Sequence, residues 1–159
     1  MAHDIHRLPP YIYTLKLSDI KGESALKDHE DEIVVDKVIQ QYEIPEELDV
    51  FADGAERRPA VLCEGITVVK KYEKSTPPLL TALTEGTQIS EGVISCIALT
   101  HKLFLTIKLV NAVVRQADLY FEPEGSLVEV NFSYEEITHT YSPEGAGKTI
   151  FTYKTYEFP

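Results

Sequence analysis

The chain has 159 residues, a formal net charge of −11 and 43% hydrophobic residues. This length predicts one domain with a substantial core, and no apolar run approaches the ~20 residues that a membrane-spanning helix needs. The negative charge argues against nucleic acid and anionic membrane surfaces as partners, because their phosphates would repel it. Acidity of this kind either aids solubility or separates charge between the faces of an assembly, and the sequence leaves both open.

The first ten residues are polar and lack the apolar core of a signal peptide. They are expected to form a flexible extension of a single domain that spans residues 1–159. Conventional export is therefore not predicted. If the protein leaves the cell, a route that needs no cleaved signal must carry it.

Seven segments have the composition or alternation of β-strands, at residues 11–17, 33–42, 61–72, 93–99, 102–115, 128–137 and 149–158. Gly65 predicts a bulge in the third segment, and a phase shift at residues 135–136 predicts a bulge in the sixth. Turn signals separate the strands, for example at residues 122–125. The expected fold is mainly β, a compact barrel or two-sheet sandwich with one short helix.

The helix is predicted in the stretch KYEKSTPPLL at residues 71–80, where a strand turns directly into a helix. Ser75 or Thr76 can cap its first turn and Pro77 suits its first position. Gly86 can end it in a left-handed turn. The apolar stripe of this helix consists of Leu79, Leu80 and Leu83.

An earlier segment, DIKGES, ends the first strand in the turn Gly22-Glu23-Ser24. A polar loop with His29 and Glu30 follows, and a new strand begins near Ile33. Together with KYEKSTPPLL, these segments resemble the Hcp family, the tube-forming proteins of type VI secretion, in their order and approximate spacing. The resemblance extends from the first strand to the C-terminus.

This resemblance implies a compact β-barrel with a helix on one side. Six copies in such proteins pack head-to-tail into a ring, and rings stack into a hollow tube inside a contractile sheath. The implied partners are copies of the chain itself, the sheath and spike proteins of the secretion apparatus, and effector proteins carried in the lumen. The resemblance implies no cofactor, and it implies a cytoplasmic protein that is secreted outside the cell or into a target cell.

Two sets of site residues follow from the resemblance. Ring or stacking contacts are expected at Gly22, Glu23, Ser24, His29 and Glu30. The helix junction, with residues that face the lumen, is expected at Lys74, Ser75, Thr76, Pro77 and Leu80. Two features depart from the family pattern, namely the N-terminal extension and residues 40–45, which replace an aromatic, glycine-rich segment. Ring stacking is therefore less firmly implied than the barrel.

Catalytic and metal-binding patterns were weighed as alternatives. The segment SPEGAGKT at residues 142–149 resembles a phosphate-binding loop, but Ser142 replaces the first glycine and Thr149 opens a β-leaning run instead of a helix. His29 lies among acidic residues that could hold a cation, but a hydrated loop is expected there, since nothing in the sequence fixes the geometry of metal ligands. Cys63 and Cys96 are expected to be free thiols on separate strands. Nothing in the sequence gives positive support to an enzyme.

Several strands carry apolar residues on both faces, as Phe104, Val110 and Val113 show. Such strands need a second covering surface. The short helix is one candidate and a neighbouring subunit is another. A monomeric β-barrel that binds a small molecule is the alternative function, and a mass measurement in solution separates it from a ring.

Overall fold

The computed structural model describes residues 10–44, 61–100, 102–143 and 147–155. Within these ranges nine strands and one helix follow in the order β1 Tyr11–Leu17, β2 Ile33–Val35, β3 Lys37–Glu43, β4 Leu62–Lys70, α1 Thr76–Glu85, β5 Gln88–Ala98, β6 Leu103–Glu122, β7 Gly125–Ser133, β8 Glu136–Tyr141 and β9 Thr149–Lys154. The prediction of a mainly β chain with one short helix is confirmed.

Some predictions fall on residues outside the described ranges. These are the extension up to residue 9, the histidines within it, most of the loop at residues 43–59, and the last residues of the strand predicted at 149–158. They stay predictions.

All strand pairs are antiparallel and belong to one sheet, in which the order is β2-β1-β5-β6-β7-β4-β3, with β8 and β9 continuing from β6. Only Asp36 separates β2, which pairs with β1, from β3, which pairs with β4. The Asp36 N–H donates to the Val69 carbonyl at 2.7 Å. The chain thus changes partner at this residue, and the change closes the sheet into a barrel. The single strand predicted at residues 33–42 is therefore wrong, since it is divided at this corner.

The longest element, β6, pairs with β8 along its first half and with β7 along its second half. The register against β6 is the same at the end of β7, where Ser133 pairs with Val113, as in β8, where Glu136 pairs with Val110, so no extra residue lies between them. The bulge predicted at residues 135–136 is wrong, because the strand is interrupted there instead. Asn111 has a φ of 52°, and its side-chain amide donates to the Glu135 carboxylate at 2.7 Å. The strand β6 bends at Asn111, where this contact forms.

The bulge predicted at Gly65 is confirmed. The register between β3 and β4 shifts between Gln40 and Tyr42, opposite this glycine. Gly65 has a φ of +86°, and a Cβ at this position would lie 2.2 Å from the Phe132 carbonyl oxygen. Only glycine combines this conformation with such a close approach.

The barrel interior is filled by apolar side chains that alternate with outward-facing residues along the strands. Each fully buried aliphatic or aromatic side chain contributes about 1.5–3 kcal/mol to folding. Side chains with no exposed surface include Leu15, Ile33, Ile66, Val68, Leu109, Phe132 and Ile137. The helix packs against β6 and buries Leu79 and Ala82, so it extends this core at one side of the barrel.

The helix ends as predicted, with Gly86 in the left-handed region at a φ of 64°. The N–H of Thr87 donates to the Ala82 carbonyl at 3.0 Å, which satisfies a terminal carbonyl of the helix. The capping prediction for its first turn is wrong. Ser75 holds the N-cap position, but its side chain makes no capping bond.

Candidate assembly site

The loop at residues 22–32, here named the GES loop, is held against the start of β2 by backbone hydrogen bonds. The Gly22 N–H donates to the Asp31 carbonyl at 2.8 Å, and the Ser24 N–H donates to the Glu32 carbonyl at 2.9 Å. A Cβ on Gly22 would lie 2.5 Å from the Glu32 carbonyl oxygen and 2.6 Å from the Ile33 Cα. The turn therefore requires glycine for steric reasons, because the two backbone segments touch.

Hydrogen bonds between residues that are close in the sequence fix the shape of the loop. The Leu26 N–H donates to the Ser24 hydroxyl oxygen at 3.1 Å, and the His29 N–H donates to the Leu26 carbonyl at 2.9 Å. The exposed Glu30 carboxylate accepts the Asp28 N–H at 3.2 Å. The loop is thus a shaped surface element, although it contains no regular secondary structure.

Glu32 attaches the loop to the barrel. Its carboxylate accepts the hydroxyl of the fully buried Thr14 at 2.8 Å, and the same oxygen lies 3.0 Å from His29 Nδ1. A protonated His29 would form an ion pair with it. Since Thr14 belongs to β1, this carboxylate joins a loop side chain to a barrel strand.

The junction of β4 and α1, residues 70–77, is built around the buried lysine Lys70. Its Nζ donates to the Thr76 hydroxyl at 2.6 Å, to the Lys71 carbonyl at 3.2 Å and to the Glu73 carboxylate at 3.4 Å. Burial lowers the pKa of Lys70 from its ordinary value, and the Glu73 carboxylate opposes that shift. A buried cation with three acceptors ties the end of the strand to the start of the helix.

Glu73 explains why the predicted side-chain cap does not form. Its carboxylate accepts the Ser75 N–H at 2.8 Å and also the Ser75 hydroxyl. The Thr76 hydroxyl oxygen, the other predicted cap, accepts the Glu73 N–H at 3.3 Å and the Lys70 ammonium. Both hydroxyls are therefore engaged in the junction and do not cap the helix. The Glu73 carboxylate accepts the Ser75 N–H beside the helix start instead.

The GES loop and the junction meet, although they lie far apart in the sequence. The Lys74 N–H donates to the Glu23 carboxylate at 2.7 Å. Glu23 also favours the charged form of Lys70 and so opposes the lowering of its pKa. The two segments that carry the family resemblance thus form one continuous surface, here named the assembly site.

The predicted site residues divide by exposure. Buried positions are Gly22, Ser24, Ser75 and Thr76, half-buried positions are His29 and Leu80, and exposed positions are Glu23, Glu30, Lys74 and Pro77. The buried group supports the shape of the site. The exposed group is available to another molecule.

Sequence reasoning missed three polar residues that organise this site, namely Thr14, Glu32 and Lys70. All three are buried. A lysine directly after the apolar pair Val68-Val69 was a usable signal, because a charged residue in a buried strand needs partners nearby. Thr14 carried no comparable signal, since threonine is common in strands.

A second polar network lies across β3, β4 and β8. The Gln40 amide donates to the Tyr134 hydroxyl at 2.8 Å, which lies 2.9 Å from the Cys63 thiol. His139 Nε2 lies 3.1 Å from the Gln40 side-chain oxygen. Burial lowers the pKa of His139 and raises the pKa of Tyr134, with the Cys63 hydrogen bond adding to the latter.

Both cysteines are free, Cys63 on β4 and Cys96 on β5, as predicted. Among the described residues, no group of three or more histidine, cysteine, aspartate or glutamate side chains is placed to hold a metal ion. Thr149 begins β9, not a helix, so the described part of the phosphate-loop segment lacks the required context. No helix in the described ranges is long and apolar enough to cross a membrane.

Comparison with known proteins identifies a family. A family model described as "Type VI secretion system effector, Hcp" matches residues 14–141. No curated protein sequence matches the chain significantly.

Solved structures share the fold. Hcp1 from Salmonella typhimurium superposes with a TM-score of 0.78 at 17% identity, covering 92% of this chain and 95% of that one. A mutant Hcp1 from E. coli EAEC 042 superposes with a TM-score of 0.75 at 24% identity, and the match covers 93% of this chain and 100% of that one. A type VI secretion system effector from Yersinia pestis superposes with a TM-score of 0.71 at 19% identity, and the match covers 90% of this chain and 99% of that one. These identities show a common fold, while the family model covers most of the sequence.

Proposed function

The chain belongs to the Hcp family of type VI secretion proteins, and on this premise we propose that it is a structural subunit of the secretion tube. In this proposal six copies form a ring by head-to-tail contacts, and the rings stack into a hollow tube. A head-to-tail interface closes into a ring when its rotation allows. The chain then acts by assembly and catalyses no reaction.

The observation that carries the proposal is the family match over residues 14–141. The surface supports it, because apolar side chains remain uncovered on the outside of the described strands, and large exposed patches mark interaction sites. Phe121 and Ile150 are 71% and 66% exposed. Other exposed aromatic or aliphatic side chains on strands are Tyr11, Leu103, Tyr141 and Phe151. A neighbouring copy would remove them from water.

The assembly site suits a contact between copies. The carboxylates of Glu23 and Glu30 and the side chain of Lys74 are exposed on a surface whose backbone is already hydrogen-bonded. A surface that is ordered before binding loses little conformational freedom when it binds. We therefore assign ring or stacking contacts to this loop, and the exposed Pro77 and half-buried Leu80 to the helix face toward the lumen.

The proposal includes the wider apparatus. Copies of the chain would contact the contractile sheath and the spike proteins, and the lumen would carry effectors. The protein would be cytoplasmic until it is secreted without a cleaved signal peptide, to the outside or into a target cell. These partners rest on family membership, and no further contact surface is assigned to them here.

The decisive experiment is a mass measurement in solution by light scattering coupled to size exclusion, over a wide range of protein concentration. A mass near six protomers is expected. A monomer at every concentration would overturn the proposal and favour the monomeric binding module, which native mass spectrometry would then reveal by a retained ligand. The filled interior of the described barrel offers less room for that alternative.

A further inference from the structure

A groove of about 710 Å³ lies where the end of β4, the corner between β2 and β3, and the β6–β7 hairpin meet. Tyr72, Tyr120 and Leu127 form its apolar wall and are 40%, 47% and 38% exposed. This volume is in the range of pockets that accept ligands. None of its described lining residues belongs to the GES loop, while Lys71 and Tyr72 also belong to the junction of β4 and α1.

Carboxylates surround this apolar wall. Among the described residues, Asp36, Glu122, Glu124 and Glu129 line the groove, together with one cation, Lys71. None of the four carboxylates forms an ion pair or a side-chain hydrogen bond with the described residues. We name this feature, the apolar wall with its four carboxylates, the acidic groove.

The acidic groove is held in shape by the sheet. The Tyr72 N–H donates to the Ser126 hydroxyl oxygen at 3.2 Å, and Tyr120 pairs with Leu127 across the hairpin. The backbone bond of Asp36 to β4 fixes the remaining side. A partner would therefore meet a surface that is already formed.

A second cleft lined by aromatic rings provides a comparison for the acidic groove. Tyr11, Phe104 and Tyr141 line a cleft of about 420 Å³, in which ring centroids lie 5.1 and 6.2 Å apart. Of the described residues that line that cleft, none is acidic. Exposed aromatic side chains in this protein thus do not always lie beside carboxylates. The combination of aromatic rings with several carboxylates is a feature of the acidic groove.

We propose that the acidic groove is a docking site for a lysine- or arginine-bearing segment of a partner protein. The unpaired carboxylates complement the cations of such a segment. The tyrosine rings can accept a cation over their faces, and the alkyl part of a lysine or arginine packs on apolar surface. Polyanions such as nucleic acid and acidic lipids are excluded, because four carboxylates would repel them.

The test uses a fluorescein-labelled pentalysine peptide, with a pentaglutamate peptide as the control probe, and measures fluorescence anisotropy at an ionic strength of about 0.1 M, where the screening length is about 10 Å. The full-length protein should bind the lysine peptide and ignore the glutamate peptide. The double substitution Glu122→Gln and Glu124→Gln should weaken binding by about threefold to tenfold, as expected for two exposed ion pairs.

A matched control pair, Glu64→Gln and Glu85→Gln, removes the same charge from exposed positions that do not line the acidic groove. It should change binding by less than about twofold, because distant surface charges are screened. An equal loss in both double variants, or no binding by the unsubstituted protein, would overturn the proposal. Tyr120→Leu keeps the wall apolar and should weaken binding by about twofold through loss of the ring face.

Light scattering on the same samples separates this inference from the proposed function. If the groove variant falls apart into protomers while the control variant keeps its mass, a second copy of the chain occupies the groove and the proposal is wrong. If no sample forms rings and the peptide result holds, the proposed function fails and the docking site stands.

Discussion

The assembly site and the acidic groove differ in where their polar groups find partners. In the assembly site Lys70, Glu32 and Glu23 bind groups of the same protomer, and these bonds give the loop and the junction their shape. In the acidic groove the carboxylates bind none of the described residues. Polar groups that bind their own protomer define the shape of a surface, whereas exposed carboxylates that bind only water can pair with the cations of another molecule.

The largest expected effect comes from removing the buried cation of the assembly site. Lys70→Ala leaves the Glu73 carboxylate without its cation and opens a cavity, so the free energy of unfolding should fall by about 3–5 kcal/mol. Chemical denaturation at a fixed protomer concentration measures it, since assembly also affects stability. Lys70→Met, which keeps the volume, should cost less. An equal loss in both variants would mean that the missing charge, which they share, accounts for the whole effect and that the cavity adds nothing.

Gly22→Ala is expected to have the next largest effect. A Cβ would collide with the backbone of Glu32 and Ile33, and relief of such crowding costs about 1–3 kcal/mol of stability. Gly147→Ala is the control, because nothing lies within 4 Å of a Cβ there. The same denaturation measurement applies, and equal stability of both variants would contradict the close packing of the GES loop.

Glu23 tests the bond between the two segments of the assembly site. Glu23→Ala removes the acceptor of the Lys74 N–H and should cost about 0.5–1.5 kcal/mol, while Glu23→Gln keeps an acceptor and should cost less. Amide hydrogen exchange at Lys74 reports the bond directly. Faster exchange is expected only for the alanine variant, and unchanged exchange would show that the bond does not hold the junction.

Charge reversal at the exposed part of the same loop should affect assembly more than folding. Glu30→Lys places a cation where the proposed contact expects an acid and leaves the barrel core untouched, so the mass in solution should fall while the circular dichroism spectrum stays the same. Glu85→Lys, at the exposed end of the helix, is the control. A ring of unchanged mass with Glu30→Lys would count against this loop as an interface.

The smallest expected effect concerns the second polar network. Burial lowers the pKa of His139 below its ordinary value of 6.5. The unfolded chain therefore binds more protons than the folded one in the window just below pH 6.5, and stability should fall as the pH drops through that window. His139→Asn should flatten this part of the stability curve. If the stability curves of the unsubstituted protein and the variant have the same slope in this window, protonation of His139 is not the cause of the pH dependence.

Local features of this fold were predictable from the sequence. The end of the helix at Gly86 and the bulge at Gly65 follow from backbone conformations that glycine adopts most readily. The alternation of apolar residues in β7 places its buried face, on which Val128, Val130 and Phe132 lie. Each of these predictions depends on a few adjacent residues.

Features that depend on distant pairing were not predictable in the same way. Glu23 and Lys74 meet only because the barrel closes, and nothing local to either residue indicates the bond. The division at Asp36 did leave a trace, since Ile33 and Val35 are buried at odd positions whereas Val38 is half-buried at an even one. A change of inward parity within one apolar run marks a strand that changes face or partner.

The length of β6 has a mechanical consequence. Its twenty residues would extend roughly 65 Å if straight, and they pair with β8 along the first half and with β7 along the second half. A force applied along this strand would load its cross-strand hydrogen bonds in parallel, because they lie perpendicular to an antiparallel strand. Such a geometry resists pulling better than the one-by-one opening of a zipper, which is a property that the proposed role in a secretion tube would use.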